Sequence, residues 1–343
     1  MSFAKGRRIG LLVLHPRIDS CAPCGAVVIE QPENSTQRGF ILIIVIWMMA
    51  FLSLVAVAVT RSVQAHIRQT ANHVQARNAE LLADAGISLA MLDLVKAQGR
   101  GEGRVSTPAG KLRRFPIDGS TTQCALDDAV LSISVQDTGG LISLSTGSER
   151  LLQALFLGLG TTLDTARRAA DTIIDFRDAD ELRRPSGAEK PEYATAGRTL
   201  GPKNEPFDAV EELHQVLGLD ARLISAMKPY VTVHSGTAGL DPRVTSMALA
   251  ELITQGAAQL PNTPLTTPRF GAAKAVLPSD FIIGSTQRGF NITVHAEISN
   301  TAVYVRDAVV DLSSVRDGLP TIKSWRRGRH LAPTPRSIAL PSC

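Results

Sequence analysis

The chain has 343 residues, 44% hydrophobic and 20% charged, with a formal net charge of +4. That composition is globular, with room for two or so domains and a sizeable core. The first 39 residues hold five basic and three acidic residues, so +2 remains beyond them, too little to form a field for nucleic acid.

The leader contains Cys21-Ala-Pro-Cys24, which has the spacing of a redox or metal pair but no second pair or nearby His. Phe40 to Thr60 then runs for 21 residues without a formal charge. As a helix rising about 1.5 Å per residue, it is long enough to cross a hydrocarbon core of about 30 Å. A secretory signal would place a small residue after the apolar run, whereas Gly39 precedes it, so cutting there would keep the span.

Gln37-Arg38-Gly39 followed by Phe40 and an apolar helix resembles the cleavage site of type IV pilins and type II secretion pseudopilins. The resemblance implies a prepilin peptidase that cuts between Gly39 and Phe40 and methylates the new amino terminus. Most such proteins carry Glu at the fifth mature position, where this chain has Ile44, and the K-type minor pseudopilin characteristically lacks that Glu. The hexapeptide alone is weak, because Ser-Thr-Gln-Arg-Gly-Phe recurs at 285–290. There it precedes an alternating polar and apolar run that cannot span a bilayer.

Past the span, Ala79, Leu82, Gly86, Leu89 and Leu94 continue the helix as an amphipathic stem ending near Gly99 to Gly103. Leu131 to Gln136 alternates as a strand, and Asp137-Thr138-Gly139-Gly140 reads as a hairpin turn into Leu141 to Ser145. The stretch 146–275 reads as helical. It opens with a capping box at Thr146 to Glu149, and a second helix from Thr161 turns Ala166, Ala169, Ala170, Ile173 and Ile174 inward and Asp171, Asp175 and Asp178 outward. A second β region spans about Phe281 to Leu312, with Ile292, Val294, Ala296 and Ile298 on one face and a turn at Ser299-Asn300-Thr301.

Residues 171–212 hold eleven acids against six bases, and clustered carboxylates with nearby carbonyls suit a hard cation such as calcium. The candidate ligands are Asp175, Asp178, Asp180 and Glu189. Salt bridges from Arg177, Arg183 and Arg184 would account for the same acids without a metal. Glu212 to Leu219 also looks like a helix-hairpin-helix element, which supports an alternative role as a membrane-anchored DNA-binding or uptake protein. Motifs for metalloprotease, serine hydrolase or Walker-loop chemistry are missing. The final 26 residues carry five basic residues and no acid, and Cys124 and Cys343 could pair in an oxidising periplasm.

Asp175 to Asp180, Gly187-Ala188-Glu189, Tyr193, Asn204 to Phe207 and Glu211-Glu212-Leu213 together resemble the K-type pseudopilin. The resemblance implies an α+β fold: a transmembrane and stem helix, a pseudopilin-like antiparallel sheet and a large inserted α-domain. It divides the chain into a leader (1–39), span and stem (40–99), first β part (100–145), α-domain (146–275), second β part (276–330) and tail (331–343). It implies calcium at the acidic loop, no enzymatic activity and no nucleic-acid partner. Its partners would be the I-type and J-type minor pseudopilins, the prepilin peptidase and the inner-membrane secretion platform, with a single-pass anchor and a periplasmic body.

Overall fold

The computed structural model describes residues 37–99, 115–126, 129–261, 277–298, 302–313, 320–328 and 341–343. Residues 1–36 with Cys21 and Cys24, the glycines at 101–103 where the stem was expected to end, residues 299–301 where a turn was expected, and the basic residues Arg329 and Arg336 lie outside them. The chain divides into two units, Met1–His66 and Ile67–Cys343. Helix α1 (Gln37–Gly99) contributes to both. In the first unit its apolar segment is exposed, and it is long and apolar enough to cross a membrane by length and composition.

The second unit is built on a five-stranded antiparallel sheet in the order β1-β2-β5-β6-β7. The strands are β1 (Asp118–Leu126), β2 (Ala129–Asp137), β5 (Gly289–Ile298), β6 (Ala302–Asp311) and β7 (Thr321–Arg327). In the centre, Leu131, Ile133 and Val135 of β2 lie opposite Ala296, Val294 and Ile292 of β5. Period-two alternation therefore puts one apolar set on one face. The stem of α1 covers that face with Ala83, Ile87, Ala90 and Leu94. Gly86 permits the close approach, since a Cβ there would lie 2.7 Å from Val294 Cγ1. Leu82 and Leu89, expected inward, are only half-buried.

Between β2 and β5 the chain forms a helical region with its own core. Its helices are α2 (Glu149–Gly158), α3 (Leu163–Arg177), α4 (Lys190–Thr195), α5 (Ala221–Met227) and α6 (Met247–Ala257). Two short strands, β3 (Ile142–Ser143) and β4 (Val231–Thr232), pair in parallel beneath it. Helices α2 and α6 meet at glycines: a Cβ on Gly256 would lie 1.8 Å from the carbonyl oxygen of Ala154, and one on Gly158 2.2 Å from that of Leu252.

Three expectations are corrected. Residues 131–145 are not a hairpin: β2 pairs with β1 and β5, while β3 leaves to join β4. Asp137 accepts from Gly139 N at 2.8 Å and from Ser285 Oγ at 2.7 Å, capping a 3-10 turn that redirects the chain. Gly139 and Gly140 serve contact, not a hairpin turn, because Cβ atoms there would strike Ser285 Oγ and Val244 O. Second, the cap of α2 is Ser148, whose hydroxyl accepts from Leu151 N, not Thr146. Third, Asp171 and Asp175 of α3 are buried rather than turned to solvent.

The Cys124 and Cys343 sulfurs form a disulfide, with Cα atoms 5.0 Å apart. Beside it, Ala125 N donates to Pro341 O at 2.8 Å and Cys343 N donates to Ala125 O at 2.7 Å. The carboxyl terminus is thereby stitched along the outer edge of β1.

Candidate metal site and the stem clamp

The acidic loop hangs between the end of α3 and the start of α4. Asp178 is the residue that ends α3, and Glu189 is the residue that starts α4. Asn204 is brought beside them: its N–H donates to Phe176 O at 2.9 Å, and its Nδ2 donates to Asp180 O at 3.1 Å. It sits in the left-handed region at φ 54°, which Asn tolerates better than most residues. Stacking of Phe176 on Phe207, centroids 4.9 Å apart, fixes the floor.

The three arginines that could have neutralised the loop are committed elsewhere. Arg177 is half-buried and donates to the carbonyls of Leu144 and Gly147, and desolvation lowers its pKa to about 10. Arg183 pairs with Glu192 at 3.4 Å. Arg184 pairs with Glu149 and, at 3.0 Å, with Asp171, which also accepts from Ser186 N. Asp175 accepts only from the backbone N–H of Arg184, at 3.3 and 3.4 Å.

What remains is a set of buried oxygens with no donor. Both carboxylate oxygens of Glu189, Oδ1 of Asp178 and Oδ1 of Asn204 have no hydrogen-bond partner, and Glu189 is 3% exposed. Burial, reinforced by Asp175, Asp178, Asp180 and Glu181, pushes Glu189 up to about 7. Burial and the neighbouring Asp178 and Asp171 charges push Asp175 up to about 6, and burial followed by Asp180 raises Asp178. A buried acceptor without a donor is costly, and several together favour either a proton or a cation.

These donors fit a hard cation in type, being carboxylate and amide oxygens. Among the described residues no three His, Cys, Asp or Glu side chains are arranged by themselves to hold a metal. Asn204 and backbone carbonyls would therefore have to complete any shell. Of the four residues expected from sequence, Glu189 and Asp178 present free oxygens. Asp175 is partly engaged, and Asp180, which is exposed, uses Oδ1 to accept from Leu182 N at 2.8 Å. Asn204 was missed, because a neutral amide carries no charge signal in an acid-rich stretch.

A second polar cluster joins the stem to the sheet. Arg306 of β6 is buried, donates to Asp84 at 2.6 Å and Glu80 at 3.0 Å, and lies over the rings of Tyr304 and Trp325. Tyr304 donates to Glu80 at 3.1 Å. No sequence pattern announced this clamp, since its members are more than 200 residues apart.

The helix-hairpin-helix reading does not hold in its local geometry. Its first limb, Val210–His214, is a single 3-10 turn, and only the second limb, α5, is α-helical.

Residues 132–236, from inside β2 to just past β4, match the family model of protein K of the type II secretion system. Over this segment the chain is similar to protein K. A curated type II secretion system protein K from Pectobacterium carotovorum subsp. carotovorum is 26% identical over 209 residues, covering 58% of this chain. The match spans 63% of that relative's length. The fold is that of a chain in the crystal structure of the GspK-GspI-GspJ complex from enterotoxigenic Escherichia coli, with a TM-score of 0.53 at 15% identity. That likeness covers 76% of this chain and all of the other. The α+β architecture expected from sequence, a long apolar helix with an antiparallel sheet and a helical insertion, is thus present, and the segment that matches protein K takes in the acidic loop whole.

Proposed function

We propose that this chain is a non-enzymatic minor pseudopilin of K type, anchored in the inner membrane and standing at or near the tip of the secretion pseudopilus. The observation that carries the reading is the protein K match over 132–236, because it falls on the helical insertion and not on the generic anchor helix. The bulk that α2 to α6 place on a stem with Ile44 at the fifth mature position suits a subunit with nothing above it, which can start assembly and limit growth. The relative whose fold it shares was solved with GspI and GspJ, so the partners proposed are I-type and J-type minor pseudopilins, with the secretion platform beneath.

Processing between Gly39 and Phe40 and methylation of the new terminus belong to the same proposal. Co-expression with a prepilin peptidase is expected to yield a mature chain beginning at Phe40, read by amino-terminal sequencing. A mature end beyond Thr60, or an uncut chain beside an active peptidase, would leave an ordinary signal-anchored protein.

Calcium at the acidic loop is proposed on the orphaned oxygens of Glu189, Asp178 and Asn204, with Asp175 and Asp180 nearby. Bound there, the cation would supply the positive charge that Arg177, Arg183 and Arg184 give to other groups, and so hold the α3–α4 loop in place.

A further inference from the structure

The two edges of the five-stranded sheet are finished differently. At β1 the outer edge is occupied: Ala125 exchanges backbone hydrogen bonds with Pro341 and Cys343, and the disulfide holds them there. At the opposite edge, among the described residues, β7 pairs with β6 alone. An edge strand presents a row of backbone donors and acceptors on which one more strand can be laid.

Register fixes which groups β7 offers. Gly328 N donates to Val305 O at 2.9 Å, and Arg326 lies opposite Asp307, so the backbone groups of 326 and 328 turn toward β6. In an antiparallel ladder the intervening residues turn away, which directs the N–H and C=O groups of Trp325 and Arg327 outward. Side chains sort by the same alternation. Ile322 and Trp325, opposite Val310 and Ala308, lie on the stem side of the sheet and are 46% and 40% exposed. Arg327 lies on that side too, over the ring of Tyr304. Lys323 and Arg326 lie on the other side, toward Asp311 and Glu211.

The strand carries surplus positive charge. β7 holds Lys323, Arg326 and Arg327 and no acid. Lys323 reaches Asp311 only at 3.8 Å, and Glu211, 3.4 Å from Arg326, is already held by Lys228 at 2.5 Å. A second copy added edge to edge would set one basic strand against another, which is destabilising. A strand bearing acids would meet the same side chains favourably.

We infer that the outer edge of β7 accepts an extended segment of another protein as a further strand, with apolar residues facing Ile322 and Trp325 and carboxylates at the alternate positions facing Lys323 and Arg326. Main-chain bonds at Trp325 and Arg327 supply affinity, and the alternation of side chains supplies specificity. The inference does not depend on the function proposed above.

The probe is a synthetic peptide alternating Val and Glu, added to the full-length chain in detergent, with a peptide alternating Val and Lys for comparison. The acidic peptide should bind more than about tenfold tighter than the basic one. Hydrogen exchange read residue by residue should slow by more than about tenfold at the amides of Trp325 and Arg327 when the acidic peptide saturates, and stay unchanged at Arg326, whose amide already faces β6. Trp325→Val keeps the outward donor, whereas Trp325→Pro removes it without touching the ladder to β6. The proline chain should therefore bind the acidic peptide about tenfold more weakly than the valine chain. Lys323→Glu with Arg326→Glu should reverse the preference between the two peptides. Melting temperature and formation of the disulfide report that each variant folds. Equal affinity for the two peptides, unslowed exchange at Trp325 and Arg327, or equal binding by the proline and valine chains overturns the inference. Slowing at those two amides that grows with the concentration of the chain alone would assign the edge to a second copy, and overturns it as well.

Discussion

Glu189 gives the acidic loop a pH signature whose sign depends on whether calcium is bound. Without a cation its pKa lies at about 7 against an ordinary 4.5, because burial and the Asp175, Asp178 and Asp180 charges oppose ionisation. An acid with a raised pKa is protonated in the folded chain while already ionised in the unfolded one. Its contribution is therefore complete below about pH 4.5 and is lost as pH rises through 7. The shift corresponds to something on the order of 3 kcal/mol at about 1.4 kcal/mol per unit, and Asp175 adds to it with the same sign. In chelator, the melting temperature of the full chain in detergent is expected to fall by several degrees between pH 5 and pH 8. In excess calcium the fall should largely disappear, since ligand at a hundredfold excess over Kd stabilises by about 2.7 kcal/mol and favours the ionised carboxylates. Magnesium should do less. Glu189→Gln should flatten the chelator curve and abolish the calcium gain. Parallel curves in calcium and chelator, or a calcium gain that survives Glu189→Gln with Asp178→Asn, would refute the reasoning.

Three further outcomes follow from packing. Gly256→Ala should destabilise the helical region by about 2–3 kcal/mol or more, because the new methyl meets the Ala154 carbonyl rather than a movable side chain; thermal denaturation reads it. Arg306→Met should cost about 2 kcal/mol, below the about 3–5 kcal/mol of a fully buried pair because Glu80 and Asp84 keep partial contact with water, and Arg306→Lys should recover little of it, since an ammonium cannot span both carboxylates while lying over Tyr304 and Trp325. Cys124→Ser should lower the melting temperature as much as reduction of the native chain does, a loss of stability of about 2–5 kcal/mol for a closure between residues 219 apart.

Features written in local periodicity were legible in the sequence. The apolar span, the alternation of Leu131 to Val135 and of Ile292 to Ala296, and the inward alanines of α3 need only neighbours along the chain to declare themselves. Features that depend on distant partners were not. Asp137 looked like a hairpin residue until Ser285 appeared beside it, and Asp171 looked exposed until Arg184 folded back over α3. The donors around the loop follow the same rule: Asp178 and Glu189 were visible as charges, whereas Asn204 became a candidate ligand only through its contacts with Phe176 and Asp180. Strands β1 and β7 also escaped, β1 for its weakly apolar sequence DGSTTQCAL and β7 for its exposed, basic side chains.

The proposed role is tested most directly by purifying the full-length chain from membranes that also hold I-type and J-type pseudopilins and duplex DNA. A complex of all three pseudopilins, stable to moderate salt and free of DNA, is the result predicted. A chain that comes away from both pseudopilins and instead retains DNA in a salt-sensitive manner would contradict it.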